Sequence, residues 1–295
     1  MKKVIVIVGP TGVGKTKMSI ELAKKFDGEV INADSTQVYR DLDIATAKVT
    51  EDEKEEVPHH LLDIKNIDED YTVYHYQQDA RKIIDDILSR GKTPIMVGGT
   101  GLYIKAALYD YQFSEESQND VDYEQFDDET LYRKLLEVDP ETEIHPNNRK
   151  RIIRALQYYE VHKEPMSMKE KTERILIPHV MIGLTTNRER LYDRINERVD
   201  EMIEDGLLNE AKKIYDTKIR SKAVMTPIGY KELFTYFDGT QSLEECISLM
   251  KQRSRHYAKR QYTWFRNQMK VHWFDVDFDH FERTVEEVER YIKAQ

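Results

Sequence analysis

The chain is short of cysteine, of long apolar runs and of positive charge. Its single cysteine, Cys246, excludes an internal disulfide and any zinc site built on several thiolates, which points to a reducing compartment. The longest early apolar run, Val4 to Val8, falls far below the ~18 residues of a membrane span and lacks the flanks of a signal peptide. A soluble, cytoplasmic protein is the expectation. With 45 Lys and Arg against 55 Asp and Glu, the net charge is −10, which over the whole chain opposes binding to nucleic acid. The 295 residues, 39% of them hydrophobic, suffice for one large domain or two smaller ones.

What is present begins with an alternation. Val4–Val8 reads as a buried strand, and Lys15–Phe26 as a helix with Met18, Leu22 and Phe26 on one face. A turn at Asp27-Gly28 leads to a strand at Glu29–Ala33. Tyr76–Arg90 reads as a helix stopped by Gly91, and Thr93–Val97 as a third strand. Strands alternating with helices predict right-handed βαβ units: an α/β fold, with a P-loop NTPase-like parallel sheet flanked by helices. Composition then shifts. Residues 114–129 hold eight acids and no Lys or Arg; Leu131–Val138 and Asn148–His162 are helical in pattern, and a strand returns at Ile177–Leu184. Residues 1–113 and 175–295 are therefore expected to form the core, and 114–174 a small, mostly helical insertion domain. Helical stretches follow at about 187–216, 228–237 and 242–269, then a short run at Val271–Val276 and a final helix from Thr284.

Gly9-Pro10-Thr11-Gly12-Val13-Gly14-Lys15-Thr16 fits G-x-x-x-x-G-K-[ST] between a strand and a helix. The glycines permit a tight bend that aims successive N–H groups at one anion, and the helix dipole adds positive potential. Lys15 neutralises the outer phosphate, and Thr16 offers a hydroxyl to Mg²⁺. The rest of an ATP- or GTP-using site is wanting, because the third strand ends in Gly98-Gly99-Thr100-Gly101 with no carboxylate for the metal. The best acid is Asp34, ending the second strand; it serves the metal or acts as a base, with a helix N-cap as its structural alternative. Ligands of a parallel sheet bind beyond the carboxyl ends of its strands, so the P-loop, Asp34 and Thr100 are expected on one edge. His59 and His60, with no cysteine or third histidine nearby, read as packing or hydrogen-bonding groups rather than metal ligands.

Further segments carry a family likeness. These are Ile31-Asn32-Ala33-Asp34-Ser35-Thr36-Gln37-Val38-Tyr39-Arg40 with Thr46-Ala47-Lys48, Pro58-His59-His60-Leu61-Leu62-Asp63, and Gly98-Gly99-Thr100-Gly101-Leu102-Tyr103. Ile144-His145-Pro146-Asn147-Asn148, Ile228-Gly229-Tyr230-Lys231-Glu232 and Ala258-Lys259-Arg260-Gln261-Tyr262-Thr263-Trp264-Phe265-Arg266 complete the series. In this order, over nearly the whole chain, the set resembles the tRNA dimethylallyltransferase family of bacterial type. The resemblance implies transfer of a dimethylallyl group from its diphosphate to N6 of adenosine 37 in tRNA. Gly9, Pro10, Thr11, Gly12, Val13, Gly14, Lys15 and Thr16 then hold the donor's diphosphate, with Mg²⁺ near Thr16. It also implies Asp34 as general base, Thr100 as a ligand of the diphosphate oxygens, and Asp34, Ser35, Thr36 and Gln37 around the target nucleotide. Where the resemblance implies a diphosphate-binding arginine ahead of Gly229, this chain has Thr226. The implied partners are dimethylallyl diphosphate and a tRNA anticodon stem-loop, met by a monomer with no membrane contact.

Two stretches run against the acidic average. One holds Lys150, Arg151, Ile152, Ile153 and Arg154, which the resemblance lays against tRNA. The other, 251–270, holds Lys251, Arg253, Arg255, Lys259, Arg260, Arg266 and Lys270 with no acid. At about 100° per residue, Ile247, Met250, Tyr257, Ala258, Trp264 and Phe265 share a core arc, while Lys251, Arg255, Lys259, Tyr262 and Arg266 share a basic one. That basic arc is expected to meet RNA phosphates, and Tyr262 to stack on a base, with Arg253 and Arg260 on the opposite flank. The resemblance also lays Leu249–His256, which includes Arg253, Arg255 and His256, against tRNA. Residues 114–129 carry −8 of the net −10, so the charge is segregated. The rival readings are a P-loop nucleoside or nucleotide kinase and an RNA-binding protein switched by a nucleotide.

Overall fold

The computed structural model describes residues 3–113, 122–168 and 174–295. The acidic segment read at 114–129 thus has its first half, 114–121, outside the described residues. Two compact units emerge, one of residues 1–109 with 175–295 and the other of residues 110–174.

The first unit is built on a six-stranded sheet among the described residues, with strand order β3-β2-β4-β1-β5-β6 and every pairing parallel. Its strands are β1 (Val4–Val8), β2 (Gly28–Asn32), β3 (His59–His60), β4 (Thr93–Val97), β5 (His179–Thr185) and β6 (His272–Asp275). β1 and β2 are buried along their whole length; β1 is accordingly an unbroken apolar run, while β2 buries Glu29 and Asn32 beside its apolar residues. The connecting helices are α1 (Lys15–Phe26), the short α2 (Glu51–Lys54), α3 (Val73–Ser89) and α4 (Gly101–Leu108). α3 starts three residues before the expected Tyr76, because Thr72 and His75 close a reciprocal cap around its first turn.

The second unit holds α5 (Asp128–Val138) and α6 (Arg149–His162), packed about Tyr123, Leu131, Leu135, Ile152, Ala155 and Leu156. Arg149 fastens this unit internally, donating to the Phe126 carbonyl and the Asp128 carboxylate at 2.8 Å each.

After β5 the first unit continues with α7 (Arg188–Glu204), α8 (Leu207–Asp216), the short α9 (Lys222–Met225) and α10 (Tyr230–Phe237). The long α11 (Leu243–Gln268) and the terminal α12 (Phe281–Lys293) complete it. The single stretch expected at 187–216 is broken into α7 and α8 by Gly206, which adopts φ +101°. No helix among the described residues is long and apolar enough to cross a membrane.

Strand order is what assembles the site. β4 lies between β2 and β1, with Val97 level with both Asn32 and Ile7. The loops leaving the carboxyl ends of these strands are therefore neighbours in space, although far apart in sequence.

Candidate active site

The phosphate loop spans Gly9 to Thr16 between β1 and α1. Gly12 and Gly14 turn it at φ +82° and +90°, in a region that side chains rarely adopt. Val13 is wholly buried and anchors the bend, while Thr16 is exposed at the head of α1. Lys15 is half-buried and donates from Nζ to the Pro10 carbonyl at 2.7 Å. Burial first, and then Arg198, lower its ammonium to about 7, with Asp34 pulling the other way.

Asp34 follows β2 and forms a tight Asx turn. Its Oδ1 accepts from the Thr36 N–H at 2.9 Å and the Thr36 hydroxyl at 2.7 Å. Asn32 fixes the same turn by accepting from the Asp34 N–H at 2.9 Å and donating to the Leu61 carbonyl at 3.0 Å. No hydrogen bond to the second carboxylate oxygen of Asp34 occurs among the described residues. Thr100, ahead of α4, accepts from the Ser35 N–H at 3.0 Å and donates to the Ser35 hydroxyl at 3.3 Å. The turn after β2 and the loop after β4 are thus directly bonded. Gln37 points into the next loop, donating to the carbonyls of Thr46 at 3.0 Å and Ala47 at 3.3 Å.

Several residues here were not singled out from the sequence. Arg198, on α7, donates to the Thr11 hydroxyl at 3.0 Å, and Arg194 to the Gly12 carbonyl at 3.1 Å. Burial lowers the Arg198 guanidinium from its usual value, with Arg194 adding to the effect. A desolvated guanidinium beside a lowered ammonium is an arrangement that gains most from an incoming anion. The arginines bonded to the phosphate loop thus come from α7, whereas Thr226 is exposed and Arg220 lies over the rings of Tyr215 and Phe234. Glu210, on α8, accepts from the N–H groups of Asp43, Ile44 and Ala45 at 3.1, 2.8 and 3.1 Å and from the Tyr230 hydroxyl at 2.7 Å. It fixes the loop that receives Gln37.

The basic surface differs in detail from the helical projection. The arc of Lys251, Arg255 and Tyr262 turns toward α7 and the end of β5. Lys251 pairs with Asp200 at 2.6 Å, Arg255 donates to Asn196 at 2.6 Å, and Tyr262 hydrogen-bonds the Thr185 hydroxyl at 2.8 Å. Tyr262 is thereby held against the fold rather than presented for base stacking. Arg253 is bonded to the wholly buried carboxylate of Glu232. His256, Lys259, Arg260 and Arg266 are the exposed groups, Arg266 lying 5.1 Å from the Tyr262 ring centroid. In the second unit Ile152 is wholly buried and Ile153 packs against the same core, so Lys150, Arg151 and Arg154 are the solvent-facing part of that segment. His59 donates to the Val57 carbonyl at 2.7 Å and His60 to Glu29 at 2.8 Å.

A parallel sheet whose phosphate loop adjoins a strand-end carboxylate and hydroxyl, with two arginines behind the loop, defines a P-loop enzyme that handles a phosphorylated substrate. A family model described as IPP transferase matches residues 37–268. The tRNA dimethylallyltransferase of Anoxybacillus flavithermus is 51% identical over 302 residues, covering 100% of this chain and 97% of that one. The solved tRNA delta(2)-isopentenylpyrophosphate transferase of Staphylococcus epidermidis superposes with a TM-score of 0.76 at 41% identity, covering 100% and 99% of the two chains. A eukaryotic dimethylallyltransferase, titled as acting on tRNA, superposes with a TM-score of 0.86 at 32% identity over 98% of this chain and 78% of its own. The chain belongs to the IPP transferase family.

Proposed function

We propose that this protein transfers a dimethylallyl group from dimethylallyl diphosphate to N6 of adenosine 37 in tRNA, releasing diphosphate. One observation carries the reading. The phosphate loop, Asp34 and Thr100 meet at one sheet edge, while β4 ends without the carboxylate that nucleotide hydrolysis or phosphoryl transfer would use.

The chemistry follows from the residues. The C1–O bond of an allylic diphosphate breaks readily once the departing oxygens are neutralised, which the loop N–H groups, Lys15 and Arg198 accomplish together. Adenine N6 is a weak nucleophile because its lone pair is delocalised into the ring. As the N6–C1 bond forms, the N6 proton passes to Asp34, whose Oδ1 is committed to Thr36 and whose other oxygen meets no donor among the described residues. Thr100, held by Ser35, binds the diphosphate oxygens, and Ser35, Thr36 and Gln37 hold the nucleotide. Among the described residues no cluster of three His, Cys, Asp or Glu could cage a metal, and Thr16 offers one exposed hydroxyl. That donor set suits Mg²⁺ bound largely through water and phosphate oxygens, where it would add positive charge at the leaving group. The exposed bases Lys150, Arg151, Arg154, His256, Lys259 and Arg266 serve the anticodon stem-loop, and the enzyme acts as a cytoplasmic monomer.

The test is incubation with labelled dimethylallyl diphosphate and tRNA, followed by nucleoside analysis. N6-isopentenyladenosine at position 37 is expected. Phosphorylation of a nucleoside by ATP with no prenylated product would assign the kinase reading instead.

A further inference from the structure

The loops of this site are tied together from outside the sheet. We propose that Gln261, on α11, is a positioning residue that sets the spacing between the phosphate loop and the Asp34–Thr36 turn. The inference rests on the prenyl-transfer reading and adds to it a residue that touches neither leaving group nor base.

A path of hydrogen bonds and one backbone link supports it. Gln261 is 5% exposed; its Oε1 accepts from the Thr11 N–H of the phosphate loop at 3.0 Å, and its Nε2 donates to the Gly99 carbonyl at 3.3 Å. Gly99 leads directly into Thr100 at the head of α4. Thr100 is bonded in turn to the N–H and hydroxyl of Ser35, next to Asp34. The path therefore runs from the donor's cradle to the acceptor's base through one helix.

The backbone is shaped to admit that helix. A Cβ on Gly99 would lie 2.0 Å from the Gln261 amide nitrogen, and one on Gly101 2.0 Å from the Trp264 ring. The loop after β4 thus lacks side chains where α11 seats on it. The apolar part of the seat of α11 is supplied by Cys246, Met250, Ala258 and Phe265, which leaves Gln261 as the polar group in the buried face of that helix.

Spacing matters because displacement needs the attacking and departing atoms aligned, and a misplacement of about 1 Å costs on the order of 10²-fold in rate. The test uses the full chain with Gln261→Met, which preserves volume, and Gln261→Asn, which keeps the amide but shortens its reach. Single-turnover prenylation of tRNA, the Kd values for inorganic diphosphate and tRNA, and Tm are measured. Each variant is expected to slow the chemical step by at least about tenfold with both Kd values within about threefold of wild type. Rates within about twofold of wild type would overturn the inference. Diphosphate affinity falling in step with rate would also overturn it, by making Gln261 part of the cradle. Should Gln261→Met not fold, Gln261→Asn decides alone. A wild-type protein that prenylates no tRNA would instead overturn the parent reading.

Discussion

Lys15 of the ligand-free protein titrates near neutrality. Burial and Arg198 bring its ammonium to about 7, so at pH 7.5 about three-quarters of the molecules carry a neutral amine there. A bound diphosphate anion favours the charged form and returns the group toward its ordinary value. Binding is therefore expected to draw in about 0.75 proton at pH 7.5, falling to about 0.1 at pH 6. Calorimetric titration of inorganic diphosphate in two buffers of different ionisation enthalpy reads this uptake directly. Lys15→Met serves as the reference, since the ligand's own proton changes are common to both proteins. Equal uptake by the two proteins at pH 7.5 would refute the reasoning and mean that Lys15 is fully charged before the ligand arrives. The same shift has a consequence for stability. The folded value is lowered, so between about pH 7 and the usual lysine range the unfolded chain binds more protons, and this group makes stability rise with pH. The Tm of the ligand-free protein is expected to climb from pH 7 to about 8.5, and saturating diphosphate to remove that contribution.

Asp34→Asn keeps an acceptor for Thr36 but removes the base, so turnover should fall by about 10²–10⁴ with tRNA affinity retained, as single-turnover kinetics and a binding assay would show. Near-normal turnover would remove Asp34 from that role. Arg253→Ala strands the buried Glu232 carboxylate, which keeps the Gly229 N–H as its remaining donor. Because the arginine is partly solvated, the loss should be about 1–3 kcal/mol, read in urea unfolding, with tRNA binding by the folded fraction little changed. Lys259→Ala, at an exposed position, should weaken tRNA binding and reduce the slope of log K against log salt by about 1. An unaltered slope would place the RNA on another face.

The legible parts of the sequence were those with one dominant signal. β1 could be bounded to the residue because a strand buried on both faces needs an unbroken apolar run, and the phosphate loop because its glycines, lysine and threonine fall at fixed spacing. α4 was missed because Gly98-Gly99-Thr100-Gly101 reads as flexible backbone, whereas those glycines admit the close approach of α11. Helical projection of 251–270 separated two faces correctly but could not tell which partner each would meet. Lysine and arginine stems pack against a neighbouring helix as readily as their heads reach solvent, so Lys251 and Arg255 turned to α7. Arg198 was invisible for a related reason, since an arginine behind a phosphate loop and one on a solvated helix face have the same local sequence.

Thr11 and Gln261 are 250 positions apart, and Arg198 lies 187 positions beyond the same threonine. At roughly 5–20 residues per second, a ribosome would spend on the order of 12–50 s between making the two ends of that first bond. During this interval the phosphate loop emerges without its arginine and without the helix that fixes its distance from Asp34. Biosynthesis thus delays competence until the last part of the chain has been made. A translation product truncated before residue 198 carries the recognisable nucleotide-style loop yet lacks both of those parts. Such a fragment is expected to hold diphosphate more weakly than the full chain, because Arg198 is not there to bond Thr11.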